Sequence, residues 1–178
     1  MMNEQTEHKT LTLTDGTIVS VREIEPEDAP ALKRLFDRLS ERTVELRYFG
    51  PMNELSDEKA RHIAEVDGYD RYALVALDPE DENEIVALAG YDREEDTHKA
   101  EYAALVEDRM QGLGLGHSLT RFLIEAARER DVRCLHALVL HANKVMLRLL
   151  RDLDLPESKS REEGIERIEI DLIPDETA

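Results

Sequence analysis

The chain has 178 residues, 41% of them apolar, which is enough to bury one core and too few for two comfortable ones. Acidic side chains outnumber basic ones by 41 to 23, and the net charge of -18 repels polyanions, so nucleic acid and anionic membrane surfaces are excluded as global partners. The single cysteine, Cys134, excludes an internal disulfide and a cysteine metal cluster, and its place in the apolar run RCLHALVL suggests a buried structural thiol.

In chain order, MMNEQTEHKT lacks the apolar core of a signal peptide, and no run of about 18 apolar residues follows it, so a soluble cytoplasmic protein is expected. The acid-rich surface looks like that of salt-adapted proteins, and ordinary solubilising charge explains it equally well. LTLTDGTIVSVRE alternates apolar and polar residues on both sides of Asp15-Gly16, which predicts a β-hairpin. Pro26 suits the first turn of a helix whose Leu32, Leu35, Phe36 and Leu39 share a face. A second helix is expected after Ser56, with Ala60, Ile63 and Ala64 on one side and Gly68 as its stop; RYFGPM between them is read as a loop.

RYALVAL, EIVALAGY and AEYAALV follow at strand length, separated by turn-rich acidic segments, and predict a three-stranded antiparallel meander. Leu115, Leu119, Phe122, Leu123 and Ala126 then make a helical stripe that ends near Asp131. RCLHALVL is a strand, Met146, Leu149, Leu150 and Leu153 mark a last helix starting at Asn143, and IERIEIDLI closes the sheet. The sum is an α/β (α+β) fold: a mixed, mostly antiparallel sheet of six to seven strands flanked by about four helices. We expect a tail at 1–10, a single domain at 11–174 and a short tail at 175–178.

The chain has 8 glycines, and three of them stand at Gly112, Gly114 and Gly116, where a strand feeds a helix. Glycine admits φ > 0 and close approach of the backbone, and a helix N-terminus presents free N–H groups, so an anion cradle and a tight packing turn are the two readings. A P-loop is excluded because the stretch ends Gly116-His117-Ser118 and lacks Gly-Lys-Ser/Thr. A dinucleotide fingerprint is excluded because its last glycine would fall on His117 or Leu119.

What remains is Gln-x-x-Gly-x-Gly, met by Gln111, Gly114 and Gly116, and this resembles the GNAT acyltransferases. The segment NKVMLRLLRDL is similar to that family's second signature. DGTIVSVREIEPEDAPALKRLFDRLSERTVELRYFGP is similar to the start of the GNAT domain of bacterial and archaeal protein lysine acetyltransferases. The resemblance implies acetyl-CoA as cosubstrate, no metal, and an amine acceptor, a protein lysine in that branch. It implies that Gln111, Gly112, Gly114, Leu115, Gly116, His117 and Ser118 cradle the pyrophosphate, that Leu105 and Val106 hold the pantetheine arm through their backbones, and that Asn143 contacts the pantetheine or the acetyl group.

A lysine side chain in water has a pKa of about 10.4, so acetyl transfer needs a proton acceptor. Ala100-Glu101-Tyr102-Ala103 matches the motif whose glutamate is the general base of the protein acetyltransferases, and the resemblance puts that role on Glu101. Many GNAT enzymes carry a tyrosine acid where Met146 and Leu147 stand here, so no general acid is assigned; a thiol with a pKa of about 8.5 can leave unaided. Small-amine acetylation and a non-catalytic acyl-CoA-binding module are the alternatives, and monomer and homodimer both stay open. Arg109, Arg121, Lys144 and Arg148 are the expected local cations for a polyphosphate ligand. Asp67, Asp70 and Arg71 are read as surface loop, and His136 and His141, five apart, as solvated histidines on opposite faces of a strand.

Overall fold

The structure is a computed structural model, and it describes residues 8–173. Strands β1 (Lys9–Thr12) and β2 (Ile18–Glu23) form the expected hairpin, with Gly16 at φ 88° and the Thr17 amide bonded to the Asp15 carboxylate at 2.9 Å. β1 begins two residues before the expected domain boundary at residue 11; residues 1–7 of the first expected tail and all of the second, 175–178, lie outside the described residues.

Three helices follow: α1 (Ala29–Arg38), α2 (Glu41–Tyr48) and α3 (Asp57–Ala64). The meander is β3 (Arg71–Leu77), β4 (Ile85–Arg93) and β5 (Lys99–Val106). Then come α4 (Leu115–Glu129), β6 (Cys134–Leu140), α5 (Lys144–Arg151), β7 (Glu157–Glu162) and β8 (Ile165–Asp171). They make one sheet in the order β1-β2-β3-β4-β5-β6-β8-β7, antiparallel throughout except where β5 runs parallel to β6. A parallel pair requires a crossover, and α4 supplies it.

The sheet separates two apolar layers. On one face α4 lays Leu115, Leu119, Leu123 and Ala127, one helical turn apart, onto Tyr102, Ala104 and Val139. On the other, Leu32, Leu35 and Phe36 of α1 and Ala60 and Ala64 of α3 cover Val75, Leu77 and Ile85. Arg22 clamps the start of α1 by donating to both carboxylate oxygens of Asp28, at 2.7 and 2.8 Å.

Among the described residues the sheet has eight strands where six to seven were expected, and five α-helices stand where about four were expected. The added strand is β7, ESKSRE, which is exposed at every position and so carries no apolar alternation. The added helix is α2, which buries only Val44 and therefore shows no stripe. It starts because the Ser40 side chain accepts the Thr43 amide, and it ends where Phe49 turns left-handed at φ 62°. Arg47 and Tyr48, read as loop, belong to its last turn. α3 stops at Ala64, before the expected Gly68, which serves the turn into β3. No helix among the described residues is long and apolar enough to cross a membrane.

Candidate active site

β5 and β6 are joined at Lys99↔Cys134, Ala100↔Leu135 and Glu101↔His136, and beyond Glu101 the two strands part. β5 continues to Val106 paired with β4, and β6 continues to Leu140 paired with β8. Between them lies a cleft of about 680 Å³, bordered by α2, the glycine turn and the N-termini of α4 and α5. Glu101, exposed, stands at its apex.

The glycine turn is built for the cleft. Gly112 (φ 75°) and Gly114 (φ 82°) are left-handed, a conformation that costs other residues about 1–2 kcal/mol. The Thr14 amide donates to the Leu113 carbonyl at 3.0 Å and ties the turn to the first hairpin. Gly116 answers a different need: a Cβ there would stand 3.1 Å from Leu149 Cδ1 and 3.3 Å from Val106 Cγ2, so its absence lets α4 approach α5 and β5. The first-turn amides of α4 at Leu115, Gly116 and His117 have no partner within the helix and border the cleft. Ser118 differs from the expectation: its amide is spent on the Gly114 carbonyl at 3.1 Å, and it does not line the cleft.

Every other residue expected at the site lines it, though three side chains are already engaged. Gln111 Nε2 donates to the Val106 carbonyl at 2.9 Å and reaches Thr43 Oγ1 at 3.4 Å, so it braces the strand end against α2. His117 Nε2 meets the Asp152 carbonyl at 3.1 Å, which asks for the Nε2–H tautomer. Asn143 Oδ1 caps α5 by accepting the Met146 amide at 3.1 Å, leaving its amide NH₂ for a ligand.

The tyrosine nearest the cleft does not serve as an acid. Burial pushes the Tyr102 hydroxyl up to about 12, and it is hydrogen-bonded to Thr120 Oγ1 at 2.7 Å, within the α4 core. Of the expected cations, Lys144 and Arg148 line the cleft, and sequence reasoning missed a third, Arg47 of α2. Arg109 is held elsewhere, donating to Glu107 at 2.7 Å and to Asp78, and Arg121 Nη2 donates to the Leu153 carbonyl. Asp67 accepts the Tyr69 and Arg71 amides in a turn away from the cleft.

The apolar rim was also missed: Phe49, Leu138 and Val145 are exposed there, and nothing among the described residues covers the opening. His136 corrects the solvated reading, being 6% exposed with Nε2 2.6 Å from Glu94 Oε1. His141 sits at the surface with Glu166. The Cys134 thiol is half-buried, and burial pushes its pKa up, away from reactivity.

A mixed sheet forked between two parallel strands, with a glycine-capped helix at the fork, is the architecture of an N-acetyltransferase. Residues 32–154 match the acetyltransferase (GNAT) family, and an acetyltransferase of Pseudomonas aeruginosa is 31% identical over 141 residues, 79% of this chain and 76% of that protein. The chain belongs to the GNAT family and is an acetyl-CoA-dependent N-acetyltransferase. Among solved structures, the GNAT domain of S. lividans PAT is similar at a TM-score of 0.84 and 31% identity, covering 92% of this chain and 96% of that one. A Salmonella typhimurium protein solved with its cofactor acetyl-CoA shares the fold at a TM-score of 0.66 and 17% identity, over 90% of this chain and 96% of that one.

Proposed function

We propose that this enzyme acetylates protein lysine side chains by direct attack on acetyl-CoA, with Glu101 as the general base. The observation that carries the reading is the position of Glu101: an exposed carboxylate at the one point where β5 leaves β6. The edge of β5 beyond it, through Leu105 and Val106, is released from β6, and apart from the Val106 carbonyl, which accepts from Gln111, the backbone groups that face the cleft suit an extended arm bound as an added strand would be. The amides of Leu115, Gly116 and His117 suit a diphosphate, and Arg47, Lys144 and Arg148 supply cations that an overall charge of -18 otherwise denies it. Acetyl-CoA supplies the acetyl group as a thioester.

In this mechanism Glu101 takes a proton from the lysine ammonium, and the neutral amine attacks the thioester carbon. A β5 amide polarises the carbonyl oxygen, and the thiolate leaves unaided by a tyrosine. The likeness to S. lividans PAT, over nearly the full length of both chains, supports a protein acceptor. So does the acidic surface, which attracts lysine-rich segments. Glu101→Gln should lower kcat by about 100-fold or more while calorimetry finds acetyl-CoA affinity within twofold of native. Labelled acetyl-CoA offered to a host proteome and to a panel of small amines tests the acceptor; label confined to the small amines would overturn the lysine reading.

A further inference from the structure

The proposed mechanism leaves His136 unused. In a sheet, register partners on adjacent strands present their side chains on the same face, with strands about 4.8 Å apart. Asp92↔Glu101, Glu101↔His136 and His136↔Glu169 are successive register pairs, so these four side chains form a row across β4, β5, β6 and β8. Glu101 borders the cleft; His136, beside it, has a side chain only 8% exposed.

The imidazole is neither filling a core nor satisfied. Its Nε2 lies 2.6 Å from Glu94 Oε1, but without hydrogen-bond alignment, and neither ring nitrogen has a directed partner. A buried polar group in that condition is destabilising, and such groups concentrate where chemistry needs them. Glu94 itself is 44% exposed, at the β4–β5 turn on the far side from the glycine loop. Glu101 stands beside His136 by register, and His136 approaches Glu94, so the three are placed in order from the cleft, past a buried ring, to the exposed opposite rim.

We infer that His136 is a positioning residue that removes the proton taken up by Glu101 and delivers it to solvent through Glu94. The inference rests on the reading of Glu101 as the base. When acyl donor and acceptor fill the cleft, they cover the direct route from Glu101 to bulk water, and imidazole is the side chain suited to exchange a proton near neutral pH. The lysine ammonium gives one proton to Glu101, the amine lone pair forms the C–N bond as the C–S bond breaks, and the second nitrogen proton ends on the thiolate sulfur. The first proton passes from Glu101 to His136, whose cation forms against the Glu94 carboxylate, and then through Glu94 to water, one proton per turnover. The charged groups on the ring's side of the sheet are Asp92, Glu94, Lys99 and Glu101 from the β4–β5 hairpin and Glu169 and Arg167 from β8.

The test uses the full chain with a lysine peptide that the native enzyme acetylates. His136→Gln should lower kcat about tenfold with the acetyl-CoA KM unchanged, alter the pH profile of kcat, and be partly rescued by added imidazole. Glu94→Gln should lower kcat about threefold at an unchanged melting temperature, and the double variant should be no worse than His136→Gln. A native-like kcat and pH profile for His136→Gln overturns the inference, as does a loss that imidazole does not rescue. Should that variant fail to fold, Glu94→Gln decides: an unaltered kcat and pH profile overturns it. If Glu101→Gln keeps its activity, the base assignment falls and the relay with it. If Glu101→Gln is inactive while His136→Gln is native-like, only the relay falls.

Discussion

The cleft has two helical walls of opposite construction. α4 is anchored by apolar burial, with Leu115, Leu119, Leu123, Ile124 and Ala127 all in the core. α2 buries Val44 alone and is fastened by a polar latch: Asp108 accepts from the Ser40 amide at 3.0 Å, the Ser40 hydroxyl at 2.5 Å and the Thr43 hydroxyl at 2.8 Å. Gln111 adds its contact to Thr43. The wall whose first-turn amides border the cleft is rigid because each turn of it is packed. The wall on the open side is held by hydrogen bonds at one end, which are individually weak and directional. A site that must hold one substrate in fixed geometry and admit another gains from that division.

The contrast is broken most severely in α4. Leu123→Ala, at a fully buried position, should cost about 2–5 kcal/mol in urea unfolding; a loss below about 1 kcal/mol would show that α4 is not the anchored wall. Next comes the latch. Asp108→Ala should cost only about 1–2 kcal/mol and raise the acceptor KM more than the acetyl-CoA KM, whereas equal effects would make α2 part of the same rigid unit. Burial pushes the Asp108 carboxyl up, yet the Ser40 and Thr43 hydrogen bonds outweigh it and hold the pKa below the usual carboxylate range. A folded-state pKa below the unfolded one stabilises in full above the unfolded value, about 3.9, and the gain is lost as pH falls through the folded value. The ionisation-linked part of the latch should therefore begin to fall below about pH 4 and be gone once the pH lies below the folded value, and the stability difference between native and Asp108→Ala should narrow over that range.

The smallest effect is expected at the α5 edge of the cleft. Arg148→Gln should raise the acetyl-CoA KM about threefold with kcat unchanged, and the difference should shrink at 1 M salt, where the screening length is about 3 Å. A difference that survives high salt would mean a directed hydrogen bond in place of a field.

What could be read from the amino-acid order follows the same division. The stripe Leu115, Leu119, Leu123 and the pattern from Gln111 to Gly116 are local, so α4, the glycine turn and the apex carboxylate Glu101 were all legible. α2 was not, because a helix held by capping and a distant aspartate shows no apolar period; Ser40 followed by Glu41 was the only local sign. β7 was hidden for the same reason, since no position of it is buried. Roles that depend on distant partners were misjudged. Arg109 is taken up by Asp78, and His136 is buried against Glu94, forty-odd residues away. Spacing predicts which side chains share an element; it does not predict which of them the fold will already have engaged.

The outermost strand has one more consequence. β7 offers its free rim to water as Glu-Ser-Lys-Ser-Arg-Glu, with Lys159 and Glu157 paired at 2.8 Å. A neighbouring molecule seeking to extend the sheet by backbone pairing would have to strip the hydration from charges of both signs and gain no apolar contact in return. Growth of the ladder from one molecule to the next is thus discouraged at this border, and the enzyme is guarded against fibrous aggregation by the strand that contributes least to its interior.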